Sequence, residues 1–393
     1  MEGNIFPADF YNELLNFESE HQNRVMEFHE CKSSETDTDF LNYLDHDSCL
    51  KIFLFLDDHA DLVRVSCVSR SWRRFAIENS FCKHLCWKLW PPSRNFDRVL
   101  DLTASARTSS EGECSPSLET DHKAYAFFAR GCTAFPRRGL IMDAISASST
   151  DNYPEETVRN TLEFRERVER IASYWSSKGN SDPSSSEVLI YKLVSKVCVI
   201  TEINIKPFQA YFQWGSPIYA AKSVRFRLGS LKNAAVDSIS EPCENLSDDN
   251  FSWSYTSPVF PMATDHILQK FKLPEPVLVL GGHLQIELMG RVQRQVMDDL
   301  FYTCICYAEA IGRSLSPAFG IENGEQEGKF VLKVRSYREP IVEEAPRQTP
   351  IEGPPGNARH LEIIANMLRD GVELEGVVFL NDGDDHINDA FLH

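Results

Sequence analysis

No apolar run in this 393-residue sequence approaches the ~18 residues that a membrane-spanning helix needs, so no span is expected. The opening residues, MEGNIFPADFYNELL, carry neither a basic start nor a continuous apolar stretch, and no secretory leader is expected from them. Basic residues are in deficit: 40 Lys and Arg stand against 58 Asp and Glu, for a net charge of −18. A nucleic-acid surface needs the opposite balance, so no nucleic-acid partner is expected. The eleven cysteines follow no disulfide-like spacing, and reduced thiols in the cytoplasm or nucleus are expected. The sequence has no Gly-x-Ser-x-Gly, His-Glu-x-x-His, P-loop or Gly-x-Gly-x-x-Gly motif, so no enzyme and no cofactor are expected. No internal repeat of fixed period is visible.

Metal ligation is equally thin. Cys82-x-His84-x-Cys86 places the two thiols on one helical face and His84 on another, which suits buried small apolar residues better than a zinc site. Cys304 and Cys306 share one strand face. The acidic run Asp382-Gly383-Asp384-Asp385 lacks the spaced ligands and closing glutamate of a calcium loop.

The charge that is present sits at the ends. Residues 1–39 carry −8 and residues 339–393 carry −9, leaving −1 for the body. Residues 1–38 read as a disordered acidic N-terminus with a short amphipathic helix around Asp9–Phe17. Residues 316–393 read as an acidic, partly disordered tail with one strand at Lys329–Val334 and a short helix at Leu361–Leu368.

What is abundant is apolar helical spacing between Asp39 and Trp90. Ile52, Phe53 and Leu56 form one stripe; Leu62, Val65, Val68, Trp72 and Phe75 form a second, with Lys51, Arg64, Arg70, Arg73 and Arg74 left for a wet face. Asp57-Asp58 separates the two and can cap the second helix. A third segment, Phe81 to Trp90, stops at Pro91-Pro92. So small a helical unit needs a neighbour or a partner. The stretch resembles a plant-type F-box. Leu44-Asp45-His46-Asp47 lies at the family's start, Ile52-Phe53-x-x-Leu56 matches its core, and Leu62 with Ser66-Cys67-Val68-Ser69-Arg70-Ser71-Trp72 and Arg73-Arg74-Phe75 matches its second half. Asp45 replaces the usual proline, and a weaker first turn is expected from it. A helical cap whose apolar residues simply form core is the alternative. The resemblance implies docking on a Skp-type adaptor, and through it a cullin, by Leu44, Ile52, Phe53, Leu56, Leu62, Val65 and Val68. It also raises the prospect that the four arginines face an acidic partner.

Residues 91–133 read as a linker, rich in Ser and Thr over Leu102–Thr120, then a short helix at His122–Arg130 ended by Gly131. From Ala134 the period becomes two. Val199, Thr201, Ile203 and Ile205 alternate with Ile200, Glu202, Asn204 and Lys206; Val224, Phe226 and Leu228 with arginines; Phe251, Trp253 and Tyr255 with serines and Thr256; Leu284, Ile286 and Leu288 with Gln285 and Glu287. Such strands, with Gly and Pro between them, predict an antiparallel sandwich or barrel. Their order sharpens this: Ala147-Ser148-Ser149, then Trp175-Ser176, SEVLIYKL, the Ile203/Ile205 strand, HLQIELMGR and FYTCICYAEAIG. The set resembles a discoidin-type, galactose-binding-like jelly roll over residues 134–315. That implies a core role for Trp175 and ligand contact through loops at one end. Trp253 reads as core, while Trp214 and Tyr219 are candidate ligand-binding residues, suited to stacking on a sugar or anchoring a peptide.

The expected fold is therefore α+β and multidomain, a small all-α module at 39–90 followed by an antiparallel β-sandwich at 134–315. The two resemblances together imply the substrate-recognition subunit of a Skp–cullin–F-box ubiquitin ligase. Its sandwich would present an unidentified protein target, glycosylated if the sandwich is a lectin, and its contribution to catalysis would be proximity alone. The alternative is a lectin-like or protein-binding scaffold outside any ligase.

Overall fold

The computed structural model describes residues 40–103, 116–164, 172–232, 243–244, 248–326 and 328–340. The acidic termini expected to be disordered, the helices at Asp9–Phe17 and Leu361–Leu368, and most of the Ser-rich stretch lie outside these residues. The chain divides into two units, Met1–Phe55 and Leu56–His393.

In the first unit a single 3-10 turn, Phe40–Tyr43, leads into helix α1, His46–Leu54. Asp45 is its N-cap: one carboxylate oxygen accepts from the Ser48 amide at 2.8 Å and the other from the Ser48 hydroxyl at 2.8 Å. The expectation of a weak first turn is thus corrected, because the side chain satisfies a donor that proline would leave open. The Ser48 hydrogen bonds also hold the Asp45 carboxyl below the usual carboxylate range.

The second unit opens with three helices, α2 (His59–Ser66), α3 (Arg70–Glu78) and α4 (Phe81–Leu89). Asp58 caps α2 through the Ala60 amide at 2.9 Å. The stripe from Leu62 to Phe75 is two helices rather than one. Ser69 breaks it, its hydroxyl accepting from the Trp72 amide at 3.2 Å to start α3. After strand β1 (Phe96–Asp101) comes α5, Pro116–Ala134. Gly131 lies inside this helix rather than ending it; a Cβ there would sit 3.3 Å from the Phe135 ring, so the glycine serves packing.

The remaining strands are β2 (Arg137–Gly139), β3 (Ile141–Ala147), β4 (Trp175–Ser176), β5 (Ser186–Leu193), β6 (Val197–Gln209), β7 (Ile218–Tyr219), β8 (Ala221–Leu231), β9 (Cys243–Glu244) and β10 (Phe251–Thr256). They continue with β11 (Phe260–Pro261), β12 (Gln269–Leu280), β13 (His283–Arg291), β14 (Gln293–Arg294), β15 (Phe301–Tyr302), β16 (Cys304–Ser314), β17 (Phe319–Asn323) and β18 (Phe330–Val334).

β1 and β18 pair in parallel, Phe96 opposite Phe330 and Asp101 opposite Val334, with β17 antiparallel on β18's other side. α5 lies against this sheet, Phe128 edge-on to Phe96 at 5.4 Å and to Phe319 at 5.3 Å. Residues 91–133 and 316–334 are therefore not merely linker and tail: strands more than two hundred residues apart in sequence join into one layer. β1 finds its partner more than two hundred residues away, and periodicity cannot name that partner.

The other strands form a sandwich-like domain. One sheet runs β10-β8-β13-β5-β3-β9 with β11 on β8; the other runs β12-β6-β16-β2 with β4 on β16 and β7 on β6. Leu284 lies opposite Leu228 and Tyr191, and Ile286 opposite Phe226 and Leu189. These side chains meet Ile203, Ile205, Ala308, Ala310 and Phe271 of the second sheet in one buried core. Trp175 is wholly buried in it, its indole N–H donating to the Ser149 carbonyl at 3.0 Å.

Two bulges alter the predicted alternation. In β6 the register against β16 slips between Ile311 and Gly312, so Thr201 has no opposite number, and the core face passes from Cys198 and Ile200 to Ile203 and Ile205. Gly312 permits the close crossing there, since a Cβ would meet the Val199 carbonyl at 2.0 Å. In β10 the slip falls between Trp253 and Tyr255. Tyr255 packs on the core, while Trp253 does not join it. Trp253 stacks on Phe251 at 4.8 Å and donates its indole N–H to Asp248 at 2.7 Å.

Candidate functional site

Consecutive residues on a helix point about 100° apart, so Ile52 and Phe53 cannot share a face. Phe53 is 2% exposed and Ile52 41%. In the same unit Leu44 is partly exposed, and Tyr43, Leu54 and Phe55 present apolar surface, Phe55 at 83%. Sequence reasoning did not single out these last three; for Leu54 and Phe55 the signal was the unbroken apolar run Ile52–Leu56, too long to be covered on every side. In the second unit Leu62 is buried, Leu56 and Val65 are half-buried, and Val68 is exposed. Arg64 and Arg73 are engaged within the chain, with Asp61 at 2.5 Å and Glu119 at 2.6 Å. His84 is exposed and stands edge-on to Trp87, while Cys82 and Cys86 are buried. Among the described residues no group of His, Cys, Asp and Glu is arranged to hold a metal ion.

The sandwich gathers four loops at one end. The Ser149 hydroxyl accepts from the Lys178 amide at 3.0 Å, and the Asp151 amide donates to the Ser176 carbonyl at 3.1 Å. Asn180 exchanges backbone bonds with Phe301 at 3.0 and 2.8 Å. The Tyr219 ring stands edge-on to Tyr302, 6.3 Å between centroids. Beneath them Arg291 is buried with Glu187 as its ion partner. Its guanidinium also donates to the Ser177 hydroxyl at 2.9 Å and to the carbonyls of Lys178 and Phe301, each at 2.7 Å.

The two candidate ligand residues have different places in this end. Trp214 is 97% exposed, on a turn whose next two residues, Gly215 and Ser216, take positive φ of 76° and 46°. Tyr219 is buried, and burial pushes its hydroxyl up to about 12. It donates to the Gln213 side chain at 2.5 Å and so braces the turn that holds Trp214 out. Sequence reasoning missed Val296 and Met297, 92% and 80% exposed at the tip of the β14–β15 hairpin. It also missed the carboxylates around them. Tyr302 donates to Asp298, and Tyr174 donates to Glu156 at 2.8 Å. Partial shielding from solvent, followed by the nearby Asp298 charge, raises the carboxyl of the exposed Asp151 above its ordinary range. Burial, ahead of the Asp151 charge, raises that of Glu156 against its hydrogen bonds.

A cleft beside this end, lined by Phe164, Lys206, Tyr211, His266 and Tyr307 among others, encloses ≈ 20 Å³. That is room for about one water and far short of a small-molecule site.

Residues 46–88 match the family described as F-box-like. The chain is 44% identical over 366 residues to an F-box protein of Arabidopsis thaliana, covering 88% of this chain and 97% of that one. Among solved structures, a family 32 carbohydrate-binding module of Clostridium perfringens NanJ, in complex with galactose, aligns with 45% of this chain and 99% of its own at 11% identity and a TM-score of 0.29. A fucolectin from striped bass, Morone saxatilis, aligns with 48% of this chain and 49% of its own at 13% identity and a TM-score of 0.28. Likenesses this low leave sugar binding a property of those proteins. The plant relative matches along nearly its whole length, and with the matched helices it decides the family: this chain belongs to the F-box proteins, non-catalytic subunits of the adaptor and receptor kind.

Proposed function

We propose that this chain is the substrate-recognition subunit of a Skp–cullin–F-box ubiquitin ligase in the cytoplasm or nucleus. Residues 39–90 dock on the Skp-type adaptor, and a galactose-binding-like jelly roll over 134–315 presents the target. The observation that carries the docking role is α1, a well-capped helix that carries the apolar, exposed Ile52 and ends at the apolar, exposed Phe55. Of the residues assigned to docking, Leu44, Ile52, Leu56, Val65 and Val68 have surface to offer, while Phe53 and Leu62 are buried. Two largely antiparallel sheets around one core that buries Trp175 support the jelly-roll reading. Among the described residues no helix is long and apolar enough to cross a membrane.

A pull-down with purified adaptor tests this. Ile52→Ala removes a central apolar contact, of the kind that contributes about 2 kcal/mol, so adaptor binding falls roughly thirty-fold while the melting temperature stays put. Phe53→Ala instead destabilises the fold, as loss of a buried phenylalanine does. No binding by the unmutated chain removes the ligase reading and returns the helices to a cap on the sandwich.

One observation favours a second reading of the sandwich. Trp214 has a bare indole face, as sugar-stacking sites do, so a lectin-like role with glycoprotein targets is retained. A glycan array probed with the intact chain distinguishes the two.

A further inference from the structure

Trp214, Val296 and Met297 expose three large apolar side chains on two adjoining loops, bridged by the contact between Tyr219 and Tyr302. Isolated apolar residues on a surface are ordinary, but grouped ones at the tips of braced loops mark an interaction surface. The four loops, 148–157, 177–185, 210–219 and 292–300, contain six acidic side chains against two basic ones, a net charge of −4. One of the two basic residues, Arg294, is already taken by Asp299.

These features select among occupants. An anionic membrane or a nucleic acid is repelled by the carboxylates. The chain's own terminal segments, at −8 and −9, are repelled likewise, and so is a second copy presenting the same end. A sugar would find hydroxyl partners at the carboxylates but none at Val296 and Met297. What fits is a polypeptide whose cationic group meets the carboxylates while an aliphatic side chain, or the alkyl stem of the basic residue itself, lies on the indole and the hairpin tip.

We propose that this end of the sandwich captures a target segment that places lysine or arginine beside an aliphatic side chain, with Trp214 and Met297 as the apolar contacts and Asp151 and Asp298 as the charge partners. The proposal rests on the receptor reading above and names the chemistry of its target. Asp298 also caps its own loop through the Leu300 amide at 3.0 Å, so Asp151, which is exposed, is the cleaner probe of charge.

The test pans a displayed random-peptide library against the intact chain, with the Trp214→Ala chain as counter-selection. Enriched peptides are then synthesised and titrated by fluorescence anisotropy at ~0.05 and ~0.5 M NaCl. Enriched sequences should pair basic with aliphatic residues. Trp214→Ala should weaken them at least ten-fold with an unchanged melt, and Asp151→Asn should weaken them about three-fold and flatten the salt dependence. No enrichment, enrichment of neutral or acidic sequences, or equal binding by Trp214→Ala overturns the proposal. So does a glycan array on which the chain binds sugars through Trp214 while no peptide is enriched. Adaptor binding measured on the same preparation separates the two ideas: adaptor bound but no peptide captured sinks this proposal alone.

Discussion

Arg291→Met is expected to destabilise the protein by about 3–5 kcal/mol, the loss seen when one member of a buried ion pair is removed. Arg291 and Glu187 side chains are 2% and 6% exposed, and the guanidinium further satisfies the Ser177 hydroxyl and the carbonyls of Lys178 and Phe301. Without it, Glu187 is left charged in the interior and the two carbonyls lose a donor. The Glu187 carboxylate also accepts from the Ser148 hydroxyl, so three of the four end loops are pinned through this one centre. Urea unfolding of Arg291→Met, Glu187→Gln and the double variant measures the effect. The double variant should recover part of the loss, because the orphaned charge is gone. A single-variant loss under ~1 kcal/mol would show that water already reaches the pair.

Acid should weaken the helical part of the second unit more than the sandwich. His59 is pushed down to about 4 by burial, which outweighs its hydrogen bond with Cys82 and the nearby Asp58. Its ring nitrogen lies 3.3 Å from the buried Cys86 sulfur. His122 is also pushed down to about 4, by burial first and then by Arg73. Both rings are neutral in the folded protein and must shed a proton to fold from acid. Between pH ~6.5 and ~4 the unfolded chain binds more protons than the folded one, so stability falls as pH falls through that window. The gap from 6.5 to about 4 corresponds to about 3 kcal/mol for each histidine. Urea midpoints taken from pH 7.5 down to 4.5 should drop steadily, and His59→Gln with His122→Gln should flatten the slope. Midpoints that stay level between pH 7 and 5 would contradict the assignment.

The strand stretches were legible wherever a single face repeats without interruption, as in Leu284, Ile286 and Leu288. They became illegible where one extra residue enters a strand. Thr201 and Ser254 look like their neighbours in sequence, yet each shifts the pleat by one position and turns the rest of its strand to the other face. Trp253 was misread for that reason, and Ser69 hid a helix start inside a seemingly continuous stripe. Among the residues proposed for docking, spacing alone could not say which of two adjacent apolar side chains, Ile52 or Phe53, faces water. The loop end was visible only through Trp214 and Tyr219. Val296, Met297 and the carboxylates around them come together through long-range pairing that local patterns do not encode.

Helix α5 packs on two sides. Toward α4, the Tyr125 carbonyl accepts from the Cys86 thiol at 3.4 Å and Asp121 meets Lys83 at 3.3 Å. On its other side, Phe127 and Phe128 lie on Phe319, and Gly131 approaches Leu315 next to the end of β16. A flexible tether would let a captured target wander through a volume set by its length. A packed helix instead works as a fixed arm. Within the receptor reading, a target held at the capture end then keeps one separation from α2–α4, all of them in the second unit, instead of ranging over the volume a loose chain would allow.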